Sequence, residues 1–239
     1  MDNMEHKTVN PEQPRKRRKL SPEEIKKRKR QKMIRRMLPT ALAILAVAVI
    51  VVVAVALISG GNKSKTTLHH VEIEVKDYGV IKAELDEASA PITVKNFIKL
   101  SKKGFYNGLT FHRIMEGFVI QGGDPDKDGN GGSGSNIKGE FAANGIENPL
   151  SHVRGVLSMA RNRVNMDSAS SQFFIVQSDS TFLDGQYAAF GYVTAGMEIV
   201  DKICSDITKQ EESGVFPKDP NGMIPEAYQP VITAIRVID

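Results

Sequence analysis

The spacing of apolar residues changes along the chain, and each spacing predicts a different kind of element. Before Met33 little is apolar. From Ala41 to Ile58 eighteen residues in succession are apolar, and the run reaches back to Met37 and Leu38 with only Pro39 and Thr40 between. An α-helix rises about 1.5 Å per residue, so about twenty such residues cross a hydrocarbon layer of roughly 30 Å, and residues 37–58 are expected to form a single transmembrane helix. A helix buried in a protein core would show a polar face within that length. A signal peptide has an apolar region of about 7–15 residues behind a short basic start. Here the basic start is 36 residues long and no Ala-x-Ala pattern follows at Ser59–Asn62, so an uncleaved anchor is expected.

Beyond the apolar run the pattern becomes short and alternating. Residues 59–67 (SGGNKSKTT) read as a flexible linker. Val71-Glu72-Ile73-Glu74-Val75 and Val80 to Leu85 alternate apolar with polar, and Asp77-Tyr78-Gly79 supplies the turn of a β-hairpin. Pro91 opens a helical pattern in which Ile92, Phe97, Ile98 and Leu100 are expected to share a face, ending before Gly104. Further strands are predicted at 109–115, 118–121, 155–160, 172–176, 188–193 and 231–238, and a second helix at 196–205. Gly122, Gly123, Gly129, Gly131, Gly132 and Gly134 mark a loop. Many short strands with two helices predict a mainly β domain over 68–239, a closed or nearly closed antiparallel barrel.

Charge divides the chain unequally. Residues 1–36 carry 14 Lys and Arg against five acids, a net of +9, whereas the remaining 203 residues carry 18 basic and 23 acidic side chains, a net of −5. The basic tail lacks aromatic residues and holds prolines at 11, 14 and 22, so it is expected to be disordered or at most a nascent helix. Lys and Arg crowd the flank up to Arg36, while Lys63 and Lys65 alone follow the span. The positive-inside rule then puts residues 1–36 in the cytoplasm and everything after Gly60 outside, a single-pass cell-membrane protein. Attraction to anionic lipid accounts for the tail's basicity, which leaves little ground for a nucleic-acid partner. With one cysteine, Cys204, no intramolecular disulfide can form, and the residue is expected to be a small buried hydrophobe.

Several short patterns do not carry the chemistry they suggest. Gly129-x-Gly131-x-x-Gly134 has the dinucleotide spacing, but Ser135-Asn136-Ile137-Lys138-Gly139 lacks the helical periodicity that would hold a pyrophosphate. Asp124-x-Asp126-x-Asp128-Gly129 starts like a calcium loop, yet its twelfth position is Ser135 rather than a bidentate glutamate. The histidines have no zinc-site spacing, and His112, next to Arg113 on a strand, should point to the opposite face. No metal or cofactor is therefore expected. More telling is Phe111-His112-Arg113-Ile114-Met115-Glu116-Gly117-Phe118-Val119-Ile120-Gln121-Gly122-Gly123-Asp124, where two strands flank a tight turn. Strand alternation can gather Arg113, Phe118 or Val119, and Gln121 around one concavity. Ser158-Met159-Ala160 and Ser168 to Ile175 add apolar surface and the amide of Gln172.

The first of these segments resembles the FHR-x-x-x-GF-x-x-QGGD signature of the cyclophilin-type peptidyl-prolyl cis/trans isomerases. The second is similar to their SMA…SQFFI segment, and Phe182-Leu183-Asp184-Gly185 with Phe190-Gly191 to their LDG…FG stretch. Val94-Lys95-Asn96-Phe97 and the loop 129–134 fall in family order, so the likeness covers nearly all of 68–239. The resemblance implies an eight-stranded antiparallel barrel closed by two helices, a proline-containing polypeptide as substrate and a monomer needing no cofactor. It implies that Arg113 is catalytic and that Gln121 orients it. Phe118, Val119, Phe174 and Leu183 would wall the proline pocket, and Ala160, Arg161 and Gln172 would line the peptide groove. Phe182 stands where many eukaryotic members have tryptophan, and Tyr187 where they have histidine. A groove that binds peptide as a chaperone or scaffold, without important turnover, is the competing expectation.

Overall fold

The structure is a computed structural model that describes residues 67–239 together with Glu23, Lys26 and Lys29, three tail positions that are helical. The apolar run 37–58 lies outside the described residues, and among the described residues no helix is long and apolar enough to cross a membrane. The chain divides into two units, 1–62 and 63–239, and all the strands among the described residues lie in the second.

Strict alternation builds the first hairpin. In β1 (Leu68–Val75) and β2 (Gly79–Asp86) the residues Val71, Ile73, Val75, Ile81, Ala83 and Leu85 are buried, with Ile73 opposite Ile81 and Val71 opposite Ala83. Six more strands follow: β3 (Phe111–Met115), β4 (Val119–Gly122), β5 (Val156–Met159), β6 (Phe173–Val176), β7 (Ala189–Ala195) and β8 (Ile232–Val237). They form one sheet in the order β3-β4-β6-β5-β7-β2-β1-β8, every neighbouring pair antiparallel. Backbone bonds from Phe111 to Pro230 and from Ile232 to Leu109 join the two ends of the order, which curls the sheet into a barrel.

Two helices cover it, α1 (Pro91–Lys102) and α2 (Met197–Glu212). The buried face of α1 is Thr93, Val94, Phe97, Leu100 and Ser101; Ile92 is exposed and Ile98 only half-buried, a correction to the face expected from sequence. At about 100° per residue Ile92 lies roughly 140° round the axis from Phe97, so both cannot face one core. Helix α2 runs seven residues past the expected end at Ser205, because Ile207 continues the buried stripe of Val200, Ile203 and Cys204 and nothing breaks the helix before Gly214. Cys204 is fully buried, and burial pushes its thiol up to about 12.

Aromatic rings fill the space between α1 and the sheet. Phe97 packs at 5.1 Å from Tyr106, 5.3 Å from Phe173 and 5.2 Å from Phe190 (ring centroids). The first turn of α1 has no capping side chain of its own, since Ala90 precedes it. Its cap arrives from the loop after β4: the buried Glu140 carboxylate accepts from the Ile92 N–H (2.9 Å), the Thr93 N–H (2.8 Å) and the Thr93 hydroxyl (2.7 Å). A carboxylate at a helix N-terminus also meets the positive end of the helix dipole. Glu140→Ala is expected to destabilise the domain by about 2–3 kcal/mol by orphaning these donors, read as a lower urea midpoint.

Candidate active site

Register assembles the site. Arg113 of β3 pairs with Gln121 of β4, Gln121 pairs with Phe174 of β6, and Phe174 pairs with Ser158 of β5. Directly opposed residues share a face, so Arg113, Gln121 and Phe174 form one row across three strands. Beside that row is a hollow of about 510 Å³ lined by Arg113, Phe118, Val119, Phe174, Phe182, Leu183 and Tyr187 among others. A second hollow of about 460 Å³ is lined by Gly129, Gly131, Ser168, Ser170 and Gln172. The two share Gln121, Ala160, Arg161 and Arg163, so they make one groove. All eleven residues singled out from the sequence therefore line it, ten at the first hollow and Gln172 at the second.

The Arg113 guanidinium is held from three sides. Its Nε donates to the Asn221 carbonyl (2.7 Å), Nη1 to Gln121 Oε1 (3.2 Å) and Nη2 to the Met115 sulfur (2.9 Å). It also lies 5.6 Å from the centre of the Phe118 ring. Burial draws its pKa below the ordinary arginine value, though a guanidinium stays protonated at physiological pH. The Gln121 amide then has only one useful orientation. With its oxygen taken by Arg113, its nitrogen donates to Gln172 Oε1 (2.9 Å), and Gln172 in turn donates to the carbonyls of Gly129 (3.0 Å) and Gly131 (2.8 Å). The glycine-rich loop thus ends a relay of hydrogen bonds that starts at Arg113, and among the described residues no metal-binding cluster exists.

The apolar wall is aromatic. Phe118 stacks on Phe182 at 5.6 Å, and Phe174 meets Tyr187 edge-on at 6.0 Å. Phe182 is 66% exposed, so it forms a rim rather than a floor. Arg161 belongs to the wall: it lies 4.8 Å from the Tyr187 ring and 5.1 Å from the Phe141 ring, and it donates to the carbonyls of Gln186 and Asn162 (both 2.9 Å).

Three features escaped the sequence reading. The first is the segment after α2, whose purpose the sequence did not disclose. It runs along the outer edge of β3, with Ile114 N–H bonded to the Gly222 carbonyl and Ile224 N–H to that of His112, and so delivers Asn221 to Arg113. Gly222 has φ +79°, and a Cβ there would fall 2.4 Å from Met115 Cγ, so the close approach requires glycine. The second is Arg163, which no motif marked. The third is a chain that runs inward from the surface, in which His152 Nδ1 lies 2.8 Å from the exposed Asp184 and His152 Nε2 lies 3.0 Å from Ser158 Oγ. It has the connectivity of a hydrolytic triad, but Ser158 and His152 are wholly buried and the His152 ring stacks on Phe174. No substrate reaches that serine, and the network instead fixes the Phe174 ring and the Leu183-Asp184 turn. His112 is also completely buried, and neither of its ring nitrogens has a hydrogen-bond partner.

Burial lowers the pKa of His152, outweighing the Asp184 contact that raises it. A folded pKa below the unfolded value of about 6.5 means that the unfolded chain binds protons first as pH falls. The His152 contribution to stability is then present above about pH 6.5 and is lost as pH drops through the folded pKa. His69, raised chiefly by its bond to Glu87, works in the opposite direction. Melting temperature is expected to fall between about pH 7 and about pH 5.5, and His152→Gln to flatten that fall. An unchanged slope in the variant would put the acid sensitivity elsewhere.

Comparison with known proteins agrees with this geometry. The family profile described as "Cyclophilin type peptidyl-prolyl cis-trans isomerase/CLD" matches residues 70–223. A peptidyl-prolyl cis-trans isomerase of Helicobacter pylori is 46% identical over 127 residues, which are 52% of this chain and 74% of the relative. Peptidyl-prolyl cis-trans isomerase B of Bacillus subtilis is 44% identical over 137 residues, 57% of this chain and 92% of the relative. Among solved structures, a cyclophilin-type isomerase of Cryptosporidium parvum aligns with a TM-score of 0.60 and 31% identity over 72% of this chain and 99% of that one. The same protein in the presence of the dipeptide Ala-Pro aligns with a TM-score of 0.59.

Proposed function

This chain belongs to the cyclophilin-type peptidyl-prolyl cis-trans isomerases, and we propose that it accelerates rotation of X-Pro bonds in exported or surface polypeptides that fold beside a membrane. The observation that carries this reading is the row of Arg113, Gln121 and Phe174 beside a hollow of about 510 Å³ with one wall of Phe118, Val119, Phe174 and Leu183. An X-Pro bond resists rotation because the nitrogen lone pair is shared with the carbonyl, a barrier of roughly 18–20 kcal/mol. At the twisted state the lone pair returns to nitrogen, which becomes a hydrogen-bond acceptor. Arg113, already fixed by Asn221 and Gln121, donates to that nitrogen or to the adjacent carbonyl oxygen. Because the donor is oriented beforehand, little reorganisation is needed when the charge shifts. Phe118, Val119, Phe174 and Leu183 hold the ring while the acyl side turns, and Phe182 and Tyr187 extend the aromatic surface. No covalent bond is made or broken, so the proposed reaction calls on no cofactor. The Cryptosporidium parvum structure obtained with Ala-Pro supports a proline-containing peptide as the substrate class.

The setting of the reaction rests on sequence. Residues 37–58 would span the membrane once, 1–36 would face the cytoplasm, and 59–67 would tether the isomerase domain outside. The eighteen-residue apolar run and the excess of Lys and Arg before it support this topology. Purified protein should accelerate cis/trans exchange of an Ala-Pro peptide in NMR exchange spectra. Peptide binding with no added exchange would replace the isomerase reading with that of a peptide-binding scaffold. Protease applied to intact cells should remove the domain; its complete protection would reverse the topology.

A further inference from the structure

We propose that the groove selects proline segments that carry an acidic side chain, Asp or Glu, a few residues from the proline, and that Arg163 is the residue that reads it. This rests on the isomerase reading of the same groove and adds its substrate class. Residues 67–239 hold 16 basic and 23 acidic side chains, a net of −7, yet no carboxylate lines either hollow. Three of the five arginines in that stretch, Arg113, Arg161 and Arg163, line the groove.

The ion pairing of the five divides them cleanly. Outside the groove, Arg154 meets Asp201 at 2.6 Å and Arg236 meets Glu74 at 2.6 Å. Inside it, none of the three has a carboxylate partner among the described residues. Arg113 is committed to Asn221 and Gln121, and Arg161 to backbone carbonyls and two rings. Arg163 is exposed, borders both hollows, and its guanidinium has neither an ion pair nor a ring partner among the described residues. The nearby acids of the glycine-rich loop do not compensate: Asp124 is buried and accepts from the backbone N–H groups of Asp126 and Gly129, and neither Asp126 nor Asp128 lines the groove. Arg113 titrates below its ordinary value chiefly through burial, and the like charge of Arg163 adds in the same direction. Two positive groups sharing one hollow are relieved by an anion placed between them.

A peptide whose proline occupies the first hollow crosses the shared residues Gln121 and Ala160 to reach the second. At about 3.3–3.6 Å per extended residue, a side chain two or three positions from the proline comes level with Arg163. The test uses the full chain in detergent and peptides with Glu, Gln or Lys at each of the two positions on either side of the X-Pro pair. At the best position kcat/KM is expected to be about fivefold higher for Glu than for Gln, the upper range for a solvent-facing ion pair, with Lys below Gln. Raising salt to about 0.5 M should shrink the preference, because the screening length falls below about 5 Å. Arg163→Ser should bring the Glu-to-Gln ratio close to one, and Arg163→Glu should reverse the order of Glu and Lys. Each readout is a ratio on one preparation, so partial misfolding of a variant cancels. A Glu-to-Gln ratio within about twofold at every position, or an Arg163→Glu variant that keeps the wild-type order, would overturn the proposal. Turnover of the Gln peptide without Glu preference overturns this inference alone. If no peptide turns over, the isomerase reading fails, and the same ratio read from binding affinities still decides the acid preference.

Discussion

Arg113→Ala is expected to lower kcat/KM for an Ala-Pro peptide by about 10²–10³-fold, the usual consequence of removing one preorganised donor from a site where charge develops. The side chain is half-buried and its contacts are with a backbone carbonyl, an amide oxygen and a sulfur, none of them charged. Removing it leaves no buried ion unpaired, so the fold should survive and the loss should be one of chemistry. Arg113→Lys should recover only a small part. A guanidinium can bond Asn221 through Nε and Gln121 through Nη1 while keeping a fork directed at the substrate, whereas an ammonium is a point charge on a flexible stem. Full activity in Arg113→Ala, measured by protease-free NMR exchange, would remove this residue from the mechanism.

Phe173→Ala is expected to cost about 3–5 kcal/mol, the range for deleting a fully buried aromatic ring. The Phe173 ring lies edge-on to Phe97 at 5.3 Å, to Tyr106 at 5.7 Å and to Phe111 at 6.1 Å, so it joins α1, the following loop and β3. A domain of this size should melt about 10 °C lower. The two residues flanking Phe173 face the groove, Gln172 through the amide relay and Phe174 through the hollow. KM should therefore rise in the protein that remains folded. A loss under about 1 kcal/mol would mean that the core closes over the gap, and the aromatic cluster would not be what organises β6.

The sequence was legible wherever chemistry is local. Alternation marks the first hairpin, because burying one face of a pleated strand demands a period of two, whereas β5 and β6 are buried at every position and read only as short apolar runs; all eight strands nevertheless fall within a few residues of the expected bounds. Turn glycines and Pro91 punctuated them for the same local reason. The groove residues were found as a set because the ordered motifs resemble a known family, and all eleven do line the groove. Misreadings arose where a neighbour distant in sequence decides the outcome. Ile92 looked as if it belonged to the inner face of α1, yet only the position of the sheet determines which stripe is covered. The last turns of α2 are polar, and their helicity depends on Ile207 reaching the core.

By itself the sequence determined the class of fold, the strand periodicity, the division between a basic tail, an apolar run and an acidic domain, and the side chains available to the site. Tertiary structure alone decided that Glu140 caps a helix 47 residues before it, that Asn221 lends its carbonyl to Arg113 across 108 residues, and that His152 and Ser158 are buried beneath Phe174 with Asp184 holding the ring from the surface. The reason is physical: periodicity and turn chemistry act over a few residues, whereas a hydrogen-bond partner or an unpaired charge is fixed by strand register and barrel closure, which no local stretch of chain encodes.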